Sequence, residues 1–264
     1  MTLVLVTGGT GRAGRPVVQR LHDAGRELRV LSHSREGTID GVEYARADLV
    51  KDEGVDQAIR GANVIIHCAG VPSFGRDQAM AAHLVRAARL LPEPPHLVKI
   101  SVVGADRVPV GGGLGKMMFG YFESMRATER AVEGSGLPWT TLRATQFYDA
   151  VALIARAMAK LPLIPVPSGV RFQPVDTGEV ADRLIALADG APVGLAPDFA
   201  GPTAYPMADL IRSYLEAVGR HRALMPVHLP GKTARAVKDG ANLPAGGASL
   251  GHRTWEEFLA DQKG

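Results

Sequence analysis

Three glycines at a fixed three-residue interval, Gly8, Gly11 and Gly14, stand in Thr7-Gly8-Gly9-Thr10-Gly11-Arg12-Ala13-Gly14, directly after the apolar run Leu3-Val4-Leu5-Val6. The residues that follow, Arg15-Pro16-Val17-Val18-Gln19-Arg20-Leu21, carry a helical pattern. A strand, a glycine turn and a helix in that order make a cradle for a diphosphate. Gly8 permits the tight turn, Gly11 lets the backbone approach the anion, and Gly14 lets the helix pack on the sheet. The helix then turns its first amides and its dipole toward the negative charge. Thr10, Arg12 and Ala13 sit in the turn itself and belong with the expected ligand contacts, and the ligand class is a dinucleotide.

The next strand bears on which dinucleotide. Glu27-Leu28-Arg29-Val30-Leu31 runs into Ser32-His33-Ser34-Arg35, and no acid follows before Glu36. An acid at that strand end would accept a hydrogen bond from a ribose 2′-hydroxyl. Hydroxyls, an imidazole and a guanidinium suit a 2′-phosphate instead, because a phosphate takes a bidentate arginine. Ser32, His33 and Arg35, with Arg12 closing the pocket from the other side, therefore point to NADP rather than NAD.

The chain has 264 residues, 30 basic and 27 acidic side chains, a net charge of +3 and one cysteine. The basic residues are scattered, which argues against a nucleic-acid partner. A lone Cys68 allows no internal disulfide and suits a reducing compartment. The first strand opens within two residues of the start and no apolar run approaches 18 residues, so neither a signal peptide nor a membrane span is expected, and the protein reads as soluble and cytoplasmic. The eight histidines show no metal-ligand spacing, so no metal is expected. The expected partner is a small-molecule substrate, and the sequence leaves a homodimer open.

Short β-branched runs at 2–7, 27–32, 42–45, 63–68, 96–101 and 138–143 alternate with helical patterns at 12–24, 53–60, 76–91 and 117–134. That alternation predicts an α/β fold, a Rossmann-type doubly wound parallel sheet with a small C-terminal cap. Residues 1–146 form the expected NAD(P)-binding core and 147–264 the substrate-binding cap, with 172–188 returning to the core. Further helices are expected at 147–160, 177–188, 206–218, 232–239 and 254–261, with a strand at 224–229 and a capping box at Asp176 and Glu179. The glycine-rich stretch Val108 to Met118 reads either as a mobile flap over the substrate or as a surface insertion.

Together these residues resemble the atypical short-chain dehydrogenase/reductase superfamily, in its NmrA-like, NAD(P)H-binding branch. The resemblance runs over most of the chain. It rests on the Thr7 to Gly14 turn, Ala47-Asp48-Leu49, Val64-Ile65-Ile66-His67-Cys68-Ala69-Gly70, Val98-Lys99-Ile100-Ser101, Tyr121 in a helix ending Glu129-Arg130-Ala131-Val132, and above all the run from Ser135 to Phe147. It implies that Asp48 and Leu49 border the adenine, that Cys68, Ala69 and Gly70 line the path to the nicotinamide ribose, and that Thr145 and Phe147 sit near the nicotinamide. Asp48 also reads as a plain turn residue, and His67 as a satisfied core histidine.

Catalysis in that superfamily rests on a tyrosine and a lysine four residues later on one helix, with a serine or threonine on a neighbouring strand. The resemblance thus implies Tyr121 and Ser101 as catalytic residues. This chain departs from the pattern at the lysine, because Tyr121-Phe122-Glu123-Ser124-Met125 places methionine there. Met125 leaves Tyr121 without the ammonium that would acidify its phenol, yet a neutral phenol still donates to a carbonyl oxygen undergoing reduction. Lys116 and Arg126 lie five residues from Tyr121, off its face. Lys99 is long enough to reach inward, although a strand lysine is more often solvated or paired.

The expected function is an NADPH-dependent oxidoreductase that reduces a small apolar carbonyl, quinone or enone by hydride transfer. The alternative is a non-catalytic, NADP-sensing NmrA-like regulatory protein. Epimerase or dehydratase chemistry on a nucleotide sugar would need a deprotonated tyrosine, and Met125 weighs against it.

Overall fold

The structure, a computed structural model, describes residues 2–70, 75–111 and 114–262, of which 114–119 by backbone alone. Along the chain come β1 (Val4–Thr7), α1 (Gly14–Asp23), β2 (Leu28–Ser32), β3 (Gly37–Ile39), β4 (Val42–Arg46), α2 (Val55–Ala58), β5 (Val64–His67), α3 (Arg76–Arg89), β6 (His96–Val102), α4 (Leu114–Glu133) and β7 (Trp139–Ala144). There follow α5 (Tyr148–Met158), β8 (Leu163–Pro167), β9 (Arg171–Phe172), α6 (Thr177–Asp189), β10 (Gly194–Leu195), β11 (Phe199–Ala200), β12 (Tyr205–Pro206), α7 (Met207–Ala217), β13 (Ala223–Val227), α8 (Lys232–Lys238), β14 (Ser249–Leu250) and α9 (Trp255–Asp261). The expected α/β class is borne out. Because α4 opens at Leu114, the last residues of the Val108–Met118 stretch are helical rather than loop, and Gly112 and Gly113 lie outside the described residues.

The chain divides into two compact units. The first comprises Met1–Ser101, Glu123–Leu142 and Gly178–Ala196, and the second Val102–Phe122, Arg143–Thr177 and Pro197–Gly264.

In the first unit the strands run β7-β6-β5-β1-β2-β4-β3, parallel except for the β3–β4 pair, with β10 beside the start of β7. Strand order reverses beside β1, which is where an open α/β sheet binds ligands at its carboxyl edge. Buried Leu5, Ile65 and Leu97 pack with Leu84 and Ala88 of α3 and Val132 of α4 on one face. Their positions on β1, β5 and β6 are register partners, so one apolar layer crosses the three central strands. Helix α6 is tied to α1 by the Arg20–Asp182 pair, and Arg26 donates to Asp189 at 2.7 Å. The hairpin of β3 and β4 turns on Asp40 and Gly41, both at positive φ, as a two-residue turn between twisted strands requires.

In the second unit Tyr148, Leu210, Tyr214, Trp255 and Phe258 form one core, with Trp255 stacked on Phe258 at 5.3 Å. Tyr148 donates its hydroxyl to Arg253 O at 2.7 Å. A parallel ribbon of β8 and β13 adds buried Ile164 and Val166 to a smaller core with Ile211 and Leu215. The C-terminal β11 and β14 pair in parallel, and Ala144 pairs with Phe199 of β11.

Buried Gly201 fixes the crossing of two backbones in this unit. A Cβ there would stand 1.8 Å from Pro174 O, which cannot swing aside. Gly201→Ala should therefore lower the unfolding free energy by about 3 kcal/mol in a denaturant titration. The exposed Gly246, with nothing within 4 Å of its added Cβ, serves as control, and Gly246→Ala should stay within about 0.5 kcal/mol of the parent.

Candidate functional site

The glycine turn holds its shape through backbone contacts no side chain could share. Gly8 has φ +69°, and a Cβ on it would lie 2.5 Å from Ala69 N. Gly14, the first residue of α1, would put a Cβ 2.2 Å from Gly8 O, which already accepts from Gly11 N at 2.9 Å. The constraint on Gly14 is thus the turn itself. Gly9, which the spacing argument passed over, is the glycine that packs inward, its added Cβ meeting Val30 and Val18. Gly11 is exposed, and among the described residues only Gly8 O, at 3.2 Å, would be near its Cβ, so its outer face is open to an anion. Thr10 and Arg12 are exposed and Ala13 is buried. A cradle with one open glycine and the start of a helix fits a diphosphate.

At the end of β2, Ser32 is buried and its Oγ accepts from Arg35 N at 3.1 Å and Ser34 N at 3.3 Å, so this hydroxyl shapes the loop. His33 and Arg35 are exposed. The Arg35 guanidinium lies over the Tyr44 ring at 5.4 Å and donates to its hydroxyl at 3.4 Å. Beside it is a hollow of about 370 Å³, lined among others by Thr10, Arg15, His22, Arg35, Asp40 and Tyr44. Arg15, not Arg12, shares this hollow with Arg35. The signal for it was the position directly after Gly14, at the mouth of the helix.

Asp48 behaves as a turn residue: its Oδ1 accepts from Val50 N at 2.8 Å and Lys51 N at 3.2 Å. Leu49 is buried in the core, and its carbonyl meets His83 Nδ1 at 2.8 Å. Cys68 and Ala69 are half-buried against Gly8, and Gly70 is exposed, with Asp77 Oδ1 3.9 Å from where its Cβ would be.

Two residues toward the carboxyl edge from the apolar layer, and so on the same face, the register aligns Thr7, His67 and Lys99 on β1, β5 and β6. His67 Nδ1 lies 2.7 Å from Thr7 Oγ1, and burial with the nearby Lys99 charge pushes its pKa down to about 3. It is a neutral, satisfied core histidine. Lys99 is 2 % exposed, against the expectation of a solvated strand lysine, and its Nζ donates to Ile100 O at 2.7 Å. Burial lowers its pKa to about 8, opposed by the charges of Glu129 and Asp77. Burial also raises the Cys68 thiol to about 12, although Lys99 pulls the other way, so this cysteine stays protonated. Asp77 accepts from Ser124 Oγ at 2.8 Å, and Glu129 is paired with Arg126 at 3.0 Å. Sequence reasoning missed Asp77, Ser124 and Glu129, since acids and hydroxyls on amphipathic helices read as solvated.

Ser101, at the carboxyl end of β6, is buried, and its Oγ has no hydrogen-bond partner among the described residues. Met125 is buried in the first unit, at 4 % exposure. In the second unit Tyr121 is 46 % exposed and meets Phe122 edge-on at 6.4 Å. There Thr145 Oγ1 and Gln146 Oε1 are buried without a partner among the described residues, while Phe147 caps α5 and bridges to Val175. The first unit thus gathers the glycine turn, Ser32 to Arg35, Asp48, Leu49, Cys68 to Gly70 and Ser101, and the second carries Tyr121, Thr145 and Phe147. Among the described residues no cluster could hold a metal, and no helix is long and apolar enough to cross a membrane.

This fold and cradle define an NAD(P)H-binding protein of the Rossmann class. The chain matches the NAD(P)H-binding family over residues 8–186 and belongs to it. The expected place in the atypical short-chain dehydrogenase/reductase superfamily is borne out. A (4-alkanoyl-5-oxo-2,5-dihydrofuran-3-yl)methyl phosphate reductase of Streptomyces griseus is 31% identical over 150 residues, covering 55% of this chain and 48% of the relative. The chain thus spans about half that relative's length. An NAD(P)H azoreductase of Xenophilus azovorans is 24% identical over 92% of this chain and 82% of its own. Among solved structures, an NADPH-dependent quinone oxidoreductase of Escherichia coli complexed with NADPH superposes with a TM-score of 0.78 at 14% identity, over 98% of this chain and 99% of that one.

The lowered His67 pKa has a defined effect on stability. Between pH 6.5 and 3 the unfolded chain binds a proton that the folded chain refuses, so stability falls as pH drops through that window. The loss should be about 2 kcal/mol between pH 6 and 4.5, since one such proton is worth about 1.4 kcal/mol per pH unit. Guanidinium titrations at the two pH values should show it, and His67→Gln should remove most of the difference.

Proposed function

We propose that the chain is an NADPH-dependent reductase of a small apolar carbonyl, quinone or enone. The observation that carries the reading is the Ser101 hydroxyl, buried and unpartnered among the described residues at the carboxyl end of β6, in the unit that also holds the diphosphate cradle. A buried hydroxyl without a partner costs free energy unless a ligand meets it. Bound NADPH supplies a hydride from its nicotinamide ring. Ser101 Oγ donates a hydrogen bond to the acceptor oxygen and stabilises the charge that develops there, and the superfamily resemblance assigns the role of second donor to the Tyr121 phenol.

Buried Met125 favours this direction over alcohol oxidation. A methionine at this position cannot hold a phenolate as the superfamily's lysine does, which weighs against the base that sugar epimerisation needs, whereas a proton donor serves reduction. The reductase and azoreductase relatives support the same direction. Met125 also supports the second reading, an NADP-sensing protein without turnover.

The hollow beside Arg35 supports NADPH over NADH. Two guanidiniums, Arg15 and Arg35, line it, with Asp40 as the one acid among its lining residues. Titration of coenzyme fluorescence should show NADPH binding at least tenfold tighter than NADH, and Arg35→Ala should erase most of that margin, since a charge-assisted phosphate contact is worth about 1.5–3 kcal/mol. Equal affinity for the two coenzymes in the parent chain would overturn the NADP assignment.

Catalysis is tested with a panel of quinones, enones and ketones, followed at the nicotinamide absorbance. At least one acceptor should be reduced, and Ser101→Ala and Tyr121→Phe should each lower kcat by about 10²-fold with coenzyme affinity unchanged. Tight NADPH binding with no acceptor reduced would leave the sensing reading in place.

A further inference from the structure

We propose that Lys99 controls which redox state of the coenzyme the site retains: its buried ammonium opposes binding of the oxidised, cationic nicotinamide, and loss of that charge tightens the hold on it. The inference rests on the coenzyme-binding part of the proposed function and not on the identity of the acceptor.

This charge lies beside the Cys68–Gly70 turn, which the superfamily resemblance assigns to the path toward the nicotinamide ribose. Lys99 is the register partner of His67, the residue directly before Cys68, and its charge acts on both. Asp77 Oδ1 approaches Gly70 to within 3.9 Å of a Cβ position, so the acid lies directly against the Cys68–Gly70 segment. Three elements meet around the ammonium. From β5 come His67, held neutral by burial and its Thr7 contact, and the protonated Cys68 thiol. From α3 comes Asp77, bonded to Ser124. From α4 comes Glu129, fully buried and already paired with Arg126, which also meets Glu133 at 2.8 Å.

The change in charge on Lys99 decides the sign. Asp77, Glu129, Glu133 and Arg126 stand near it in either state, so losing the Lys99 proton removes one positive charge from beside the Cys68–Gly70 turn. Only the oxidised nicotinamide is a cation, and the two coenzyme forms are alike in every other group. Loss of the Lys99 charge therefore tightens binding of the spent coenzyme and hardly affects the reduced one. Because burial brings Lys99 to titrate near pH 8, both states are accessible in ordinary buffers.

The measurement is the ratio of the dissociation constants of NADP⁺ and NADPH from pH 6.5 to 9.5, by calorimetry. The 2′-phosphate titrates in both forms and cancels. In the parent chain the ratio should fall by about tenfold as pH rises through 8, the effect of one charge roughly 12 Å away in an effective dielectric of about 20. Lys99→Met should show the low ratio already at pH 6.5 and no pH dependence. Lys99→Arg, whose guanidinium keeps its charge, should hold the high ratio up to pH 9.5. Should either variant fail to fold in a thermal melt, the parent titration decides alone. A flat ratio in the parent, with both coenzymes bound, overturns the role of Lys99 and leaves the proposed function standing. If neither coenzyme binds, the proposed function fails and this inference with it.

Discussion

The site depends on a pair of backbone contacts that exclude any Cβ. Gly8 lies against Ala69 N and the Cys68 carbonyl carbon, and Gly14 lies against Gly8 O. In each case the obstacle is main chain held by a strand or a helix, so it cannot yield as a flexible side chain would. The first contact sets the height of the turn over the end of β5, and the second sets where α1 begins. From them follows the position of the helix mouth, with exposed Thr10, Gly11 and Arg12 in front of it and Arg15 at its side. A diphosphate needs amides and a positive dipole fixed before it arrives, and this turn fixes them without any side chain.

Below the turn the fold is layered by the register of β1, β5 and β6. Leu5, Ile65 and Leu97 form an apolar sheet face covered by α3 and α4, and it is well enough packed to carry a polar layer above it. That upper layer, with Thr7, His67, Lys99, Asp77 and Glu129, is costly, since buried ions are poorly solvated and breaking such a set leaves a charge alone. Groups with displaced pKa values at the mouth of a ligand crevice mark where a protein has given up stability for function. Here the displaced groups are His67, Cys68 and Lys99, all at the carboxyl edge where an open α/β sheet binds its ligand.

Much of this architecture was legible because two periodicities alternate clearly in the sequence. The strands at 4–7, 28–32, 42–46, 64–67 and 96–102 and the helices between them follow the expected segments closely, and the glycine spacing located the cradle. The parts that escaped did so for local reasons. Ile39-Asp40-Gly41-Val42 carries an Asp-Gly hairpin signal, but β3 is short and wholly exposed, so it lacks the alternation that marks a strand. In β8 the prolines at 165 and 167 hid a period-two pattern in which Ile164 and Val166 are buried. A two-stranded ribbon has only edges, and a proline without an amide donor is tolerated there. The sequence left the direction of Lys99 open between inward and solvated, because the acids near it come from α3 and α4, far away in sequence.

Position 125 brings the two layers of argument together. The superfamily pattern leads one to expect a lysine there, and the chain buries a methionine instead. Around it on α4 the polar contacts fall to its neighbours: Ser124 reaches Asp77, and Glu129 takes Arg126. A buried ammonium is nevertheless present in the same unit, on β6 rather than on the helix. An ammonium on the helix would acidify a tyrosine and equip the site to remove a proton from an alcohol. On the reductase reading proposed above, one held in the sheet beside Cys68 serves the coenzyme's end of the reaction, where a site that delivers hydride and releases the oxidised coenzyme needs its charge.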